Sequence, residues 1–158
     1  MLVISAHAPT AQTRALAEAL AAGADDDALD VEVLVRAPDD LDADDLNAAA
    51  GVLILTPANF GYMSGLTKDL FDRTFLRIGG SLSDDGSAGR GAGGRIPYGL
   101  CVHGRYDTEG AIRSVQSLAG ALPWVQAAPV LSVLGDVTDA DRAAAYELGA
   151  TLAALVSE

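Results

Sequence analysis

The sequence predicts an α/β fold of three layers, α/β/α, built on a five-stranded parallel sheet. Three observations predict it. Five short apolar runs alternate with helix-patterned segments along the whole chain. That alternation implies parallel strands joined by right-handed crossovers. Several of the runs are continuously apolar, as strands covered on both faces are. And 158 residues, half of them apolar and 20% charged, make a globular chain able to bury a full core in one domain, residues 1–158.

Leu2-Val3-Ile4-Ser5 reads as the first strand. A loop follows from Ala6 to Gln12, and residues 13–24 read as a helix with Leu16 and Leu20 at i, i+4 among alanines. Asp25-Asp26-Asp27 begins the next turn. Val31, Val33 and Val35 give a second strand of period two. Residues 39–50 are acidic and alanine-rich, with Leu41 and Leu46 to anchor a short helix; their carboxylates read as a solvated face. Gly51 to Leu55 is the third strand, and residues 66–78 form a helix with Leu66, Leu70, Phe71 and Phe75 on one face. Residues 79–95 are rich in glycine, serine and aspartate. The run Gly89-Arg90-Gly91-Ala92-Gly93-Gly94-Arg95 follows no strand and opens no helix, so it reads as a flexible connection rather than a phosphate cradle. Gly99 to Val102 is the fourth strand, residues 108–122 the fourth helix, Val130 to Leu134 the fifth strand and residues 139–156 the last helix. Five strands in this alternation fit the spatial order 2-1-3-4-5.

Composition removes several classes of function. A net charge of −12 argues against nucleic acid, which needs a basic face. No EF-hand spacing appears and no histidine lies near the acidic cluster, so no metal site is expected. The single cysteine, Cys101, sits in an apolar run as a structural thiol, which suits a reducing cytoplasm. No run is long enough to cross a membrane, and the opening residues lack the pattern of a signal peptide. A cytoplasmic protein is expected. Ser5 and Ser64 have no evident His/Asp relay, so hydrolase chemistry is not expected.

In a sheet of order 2-1-3-4-5 ligands bind at the carboxyl ends of the strands, where the order reverses. Three loops converge there. The first, Ala6-His7-Ala8-Pro9-Thr10-Ala11-Gln12-Thr13, contains no glycine and so lacks the GxGxxG fingerprint. It offers the Thr10 and Thr13 hydroxyls and backbone amides at a helix N-terminus, where an anion is favoured. Thr10 also fits as a simple helix cap. The second loop, Thr56-Pro57-Ala58-Asn59-Phe60-Gly61-Tyr62-Met63-Ser64-Gly65, offers an amide, backbone polar groups and aromatic or sulfur contacts. The third, His103-Gly104-Arg105-Tyr106-Asp107, adds a histidine, a cation and a phenol, with Asp107 or Thr108 free to cap the following helix. An anion at one helix end with a flat polar ring across two neighbouring loops is the shape of bound FMN.

Nearly the whole chain resembles, in element order, the flavodoxin-like superfamily, and more closely its NAD(P)H-dependent FMN reductase and quinone reductase branch. The most specific part is the run from Thr56 to Gly65, followed by Lys68-Asp69 and Asp72-Arg73. It is similar to the TP-x-x-FG-x-M-S/A-G-x-x-K signature of the quinone-reductase-like members. The resemblance implies FMN contacts from Thr56, Asn59, Phe60 and Gly61 and, within the three loops, from His7, Thr10, Gln12, Thr13, Pro57, Ala58, His103, Gly104, Arg105, Tyr106 and Asp107. It implies NAD(P)H as electron donor and a quinone or similar small molecule as acceptor, with His103 or Tyr106 as proton donor or ring support. It leaves open a homo-oligomer, dimer or tetramer, with Tyr62, Met63 and residues 79–95 at the interface.

The first loop departs from the family pattern. Where flavodoxin-type loops read roughly S/T-x-T-G-N-T, this chain has Ala8-Pro9-Thr10-Ala11-Gln12-Thr13. One hydroxyl, the glycine and the asparagine are replaced. Losing a phosphate hydrogen bond costs about 1–3 kcal/mol where the acceptor stays unpaired. His7 is the candidate replacement donor. Two other readings stay open: an electron-transfer protein with no small-molecule turnover, to which the acidic surface would suit basic partners, and a flavin-free binding module of the same fold.

Overall fold

A computed structural model describes residues 1–80 and 95–157. The glycine-rich run from Gly89 falls outside them, apart from Arg95. Five strand positions form one parallel sheet. Strand β1 (Leu2–Ala6) lies between β2 (Val33–Arg36) and β3 (Gly51–Asn59). Strand β3 pairs in turn with β5 (Ile96–Gly104), in a register that sets Pro57 beside His103. The two-residue β4 (Tyr62–Met63) folds back antiparallel on the end of β3.

The fifth position is shared by two short strands. β6 (Trp124–Gln126) pairs with the first residues of β5, and β7 (Leu131–Leu134) with the last. The sequence reading expects one strand at residues 130–134 and misses β6. Pro129 interrupts this edge, where no ladder donor is needed. The spatial order is thus 2-1-3-4-5 by position, as the alternation predicts.

Helices cover both faces. The continuously apolar strands still divide by period two. Leu2, Ile4, Leu53, Leu55 and Cys101 face one core, with Leu16 and Leu20 of α1 (Ala11–Ala24) and Leu148 and Leu152 of α5 (Asp139–Val156). Val3, Val52, Ile54, Leu100 and Val102 face the other core. They meet Leu46 of α2 (Ala43–Ala48), Leu70 and Phe71 of α3 (Gly65–Thr74), and Ala111 and Val115 of α4 (Glu109–Ala119). Helices α1 and α5 approach closely through two glycines. A Cβ on Gly23 would lie 1.9 Å from the Tyr146 carbonyl oxygen, and one on Gly149 2.1 Å from that of Leu20. The Tyr146 hydroxyl closes the same contact by donating to the Asp26 carboxylate. Among the described residues no helix is long and apolar enough to cross a membrane, and no cluster of potential metal ligands forms.

Two outcomes check this packing. Gly149→Ala must push α1 and α5 apart, at an expected cost of about 1–3 kcal/mol, read as a lower urea midpoint with an unchanged slope. Burial pushes the Cys101 thiol up to about 12. The folded protein should therefore leave Cys101 unmodified by a thiol reagent at pH 8, and denaturant should release it.

Candidate functional site

Strand β3 does not stop at Leu55. It runs four residues further, and the segment expected to be an irregular loop is a β-hairpin. Ala58 pairs with Met63 and Asn59 with Tyr62. The two turn residues, Phe60 and Gly61, have φ of 50° and 72°. Positive φ at both positions is the mark of the tight primed turn that matches strand twist. Glycine takes it freely. For a residue with a Cβ it costs on the order of 1–2 kcal/mol. The Phe60 ring is fully exposed, so its own side chain gains no packing among the described residues to offset that cost.

The hairpin is held from below by hydroxyls. The Ser64 amide donates to Thr56 Oγ1 at 3.0 Å, and that hydroxyl donates to the Pro57 carbonyl at 3.0 Å. Ser64 Oγ in turn accepts from the Thr67 amide and caps α3. On the other side, the Met63 amide donates to Ser114 Oγ of α4 at 3.3 Å. Gly110, in the first turn of α4, receives the Gly61 carbonyl so closely that a Cβ there would sit 1.9 Å from the oxygen. Thr56 and Pro57 are therefore buried, Ala58 is half-buried, and Asn59, Phe60 and Gly61 are exposed. Arg73, the last cation of the sequence motif, bonds the Pro38 and Leu41 carbonyls and Asp69, so it anchors α3 to the 38–41 turn. Lys68 pairs with Asp72.

At the end of β5, His103 is buried and its Nε2–H donates to the Gly135 carbonyl at 2.7 Å. A Cβ on Gly104 would lie 2.3 Å from the Asp107 carbonyl oxygen, so the chain folds back closely over the end of β5. Arg105 pairs with Asp136 at 2.7 Å, at the surface. The Asp107 carboxylate accepts from the Glu109 amide, while Thr108 bonds Ser132. Thr108 is the N-cap of α4 and makes no side-chain cap bond; the Asp107 carboxylate, one residue earlier, takes the first helical amide instead. Tyr106 is left 91% exposed.

At the end of β1 the cap reading of Thr10 describes the geometry. Thr10 Oγ1 accepts from the Thr13 amide, and Thr13 Oγ1 accepts from the Thr10 amide, a reciprocal box. Thr13 is fully buried. The Gln12 side chain reaches the Val137 amide and ties α1 to the loop before α5. The first-turn amides of Ala11 and Gln12 make no hydrogen bond among the described residues. His7 Nδ1 is buried without a partner. Burial holds the His7 imidazole below the ordinary histidine value, and the Asp39 carboxylate partly opposes this.

The structure therefore brings His7, Phe60, Gly61 and Tyr106 to the carboxyl ends of three neighbouring strands. It engages Thr10, Gln12, Thr13, Thr56, His103, Arg105 and Asp107 in bonds within the chain. Sequence reasoning missed three residues that position the site: Ser64, Gly110 and Ser114. The Ser64-x-x-Thr67 spacing signals the cap; nothing local signals the other two, because their partners lie some 50 residues away.

A sheet of this order with its loops so placed is the flavodoxin-like fold. No family model matches the chain, and no curated protein matches it. Among solved structures it is similar to a flavodoxin from the domain Archaea, at TM-score 0.75 and 20% identity over 99% of both chains. It is also similar to a flavodoxin, WrbA-like protein from Agrobacterium tumefaciens, at TM-score 0.71 and 19% identity over 98% of this chain and 96% of that one. Rubredoxin oxygen:oxidoreductase from Desulfovibrio gigas matches at TM-score 0.75 and 12% identity, over 98% of this chain and 35% of its own. These likenesses are of fold.

Two measurements test the site geometry. Phe60→Asn places a residue tolerant of positive φ in the turn, and the protein should gain about 1 kcal/mol in denaturant unfolding. For His7, a base held low in the folded state binds fewer protons than the unfolded chain. Its contribution is intact above about pH 6.5 and is lost as pH falls through the lower folded value. His7→Gln should flatten the stability profile in that acid limb; an unchanged profile would show that His7 is not held neutral.

Proposed function

We propose that this chain is an FMN-dependent oxidoreductase that passes electrons from NAD(P)H to a quinone or similar small acceptor. The observation that carries the reading is Phe60: a fully exposed ring held at positive φ on a clasped hairpin tip, at the carboxyl end of β3. Such strain persists only where surrounding structure imposes it, and it clusters at functional sites. A flat ligand ring covering Phe60 explains both the exposure and the strain. Tyr106, at the end of the adjacent β5, supplies a second exposed ring.

The residues present fit FMN. The unpaired His7 Nδ1 and the free amides of Ala11 and Gln12 are donors for a phosphate, in place of the hydroxyls that Thr10 and Thr13 spend on each other. Asn59 and the Gly61 backbone are exposed for the polar edge of a ring. Bound there, FMN would supply hydride acceptance from the nicotinamide and electron transfer to the acceptor. The chain's own part is to hold and shield. Phe60 and Tyr106 stack and exclude water. In this reading the exposed Tyr106 hydroxyl donates a proton to a reduced acceptor. His103 acts as a positioning residue, since its Nε2–H is committed to Gly135.

One observation favours a second reading. The Thr10 and Thr13 hydroxyls are spent on each other and not left for a phosphate, which suits a flavin-free module. A titration separates the two. With FMN, the protein should retain yellow flavin bands after gel filtration and then oxidise NAD(P)H when a quinone is added. Phe60→Asn should weaken FMN binding tenfold or more while stabilising the chain. No retained flavin and no binding at micromolar concentration would favour the module; retained flavin without NAD(P)H oxidation would favour an electron carrier.

A further inference from the structure

A second cleft lies on the α4 side of the hairpin. It has a volume of about 390 Å³ and is lined by Tyr62, Arg113, Ser117 and Leu118, with the backbone of Gly61 and Gly110 at its base. That volume falls in the range of small-molecule sites, about 300–1,000 Å³. The two elements that frame it are held together, because the Met63–Ser114 bond and the Gly61–Gly110 contact clamp the hairpin to α4. A preformed cleft spares a ligand the cost of ordering it.

Its chemistry differs from the surface around it. The chain carries 22 acidic residues and a net charge of −12, yet no carboxylate lines this cleft. Lys68, Arg73, Arg77, Arg105 and Arg142 each face an aspartate. Arg113 makes no ion pair or hydrogen bond among the described residues. Its guanidinium is left to present a planar fork of donors, the geometry that suits a carboxylate or sulfonate. The half-exposed Tyr62 ring and Leu118 supply flat apolar walls, and Ser117 a hydroxyl.

We propose that this cleft binds a flat aromatic anion, an aryl carboxylate or sulfonate, with the acid group on Arg113 and the ring against Tyr62. Such a ligand lies next to the hairpin that carries Phe60. The binding stands without flavin; only its use in electron transfer rests on the reductase reading.

Anthraquinone-2-sulfonate is a suitable probe, titrated calorimetrically into the full chain with and without FMN. Saturable binding is expected in both, with Arg113→Gln weakening it at least tenfold and leaving the affinity for neutral 1,4-naphthoquinone within twofold. Amide shifts in a heteronuclear NMR titration should fall on Tyr62, Arg113, Ser117 and Leu118. Unchanged sulfonate affinity in Arg113→Gln, displacement of the probe by FMN, or shifts confined to Phe60 and Tyr106 would each overturn the assignment. The Arg113 side chain is exposed, so the variant should fold; an unaltered unfolding midpoint checks that. Probe binding that survives in a protein unable to take up FMN would sink the reductase reading and leave this one standing.

Discussion

The Gly61 carbonyl rests on the Cα of Gly110. No side chain fits between them, and the rest of the site follows from that contact. It sets the height of the β3–β4 hairpin above the sheet and fixes the turn at Phe60. With the Met63–Ser114 bond, it also makes the wall of the neighbouring cleft. The hydroxyls of Thr56 and Ser64 brace the same hairpin from the α3 side. Buried polar groups that are fully paired specify one arrangement, because every alternative leaves a donor stranded. The strain at Phe60 is sustained by this clasp.

The sheet does the coarser work. Strands β1, β3 and β5 lie side by side, with Pro57 in register with His103. Their carboxyl ends therefore deliver three loops to one place without any loop being long. Each loop is then fixed by a different device: a reciprocal cap at Thr10 and Thr13, a hairpin clasp at Gly61, and the His103–Gly135 bond with the Asp107–Glu109 bond beside Tyr106. Side chains that hold the scaffold are inward or paired. At these strand ends the His7 Nδ1 is unpaired and the Phe60 and Tyr106 rings are exposed.

Much of the fold is legible in the sequence because burial on two faces leaves a plain mark. The runs at Leu2, Gly51 and Gly99 are apolar without interruption, and their alternation with helices leaves one connection pattern. The fifth strand is less legible. Its edge position needs only one face and one set of hydrogen bonds, so three residues, Trp124–Gln126, suffice and carry no periodicity. The hairpin was hidden for another reason. A turn with both φ positive normally advertises itself as Asn-Gly, and here Phe60 stands where asparagine would be. The meeting of three loops at the carboxyl ends of β1, β3 and β5 is legible, because strand order alone decides it. The Thr10 cap is legible too, being local; the partners of Gln12 and His103 are not, since an amide or imidazole reads the same whether it faces a ligand or a distant backbone group such as Val137 or Gly135.

The central claim is that a flat cofactor covers Phe60 and Tyr106 with its phosphate at the first turn of α1. The most direct measurement is heteronuclear NMR of the labelled protein titrated with FMN, and then with riboflavin, which lacks the phosphate. The account predicts that FMN shifts the amides of Gly61, Tyr106, Ala11 and Gln12 together, and that riboflavin moves only the first two. Shifts confined to the Ala127–Leu131 edge, or none at all, would contradict it.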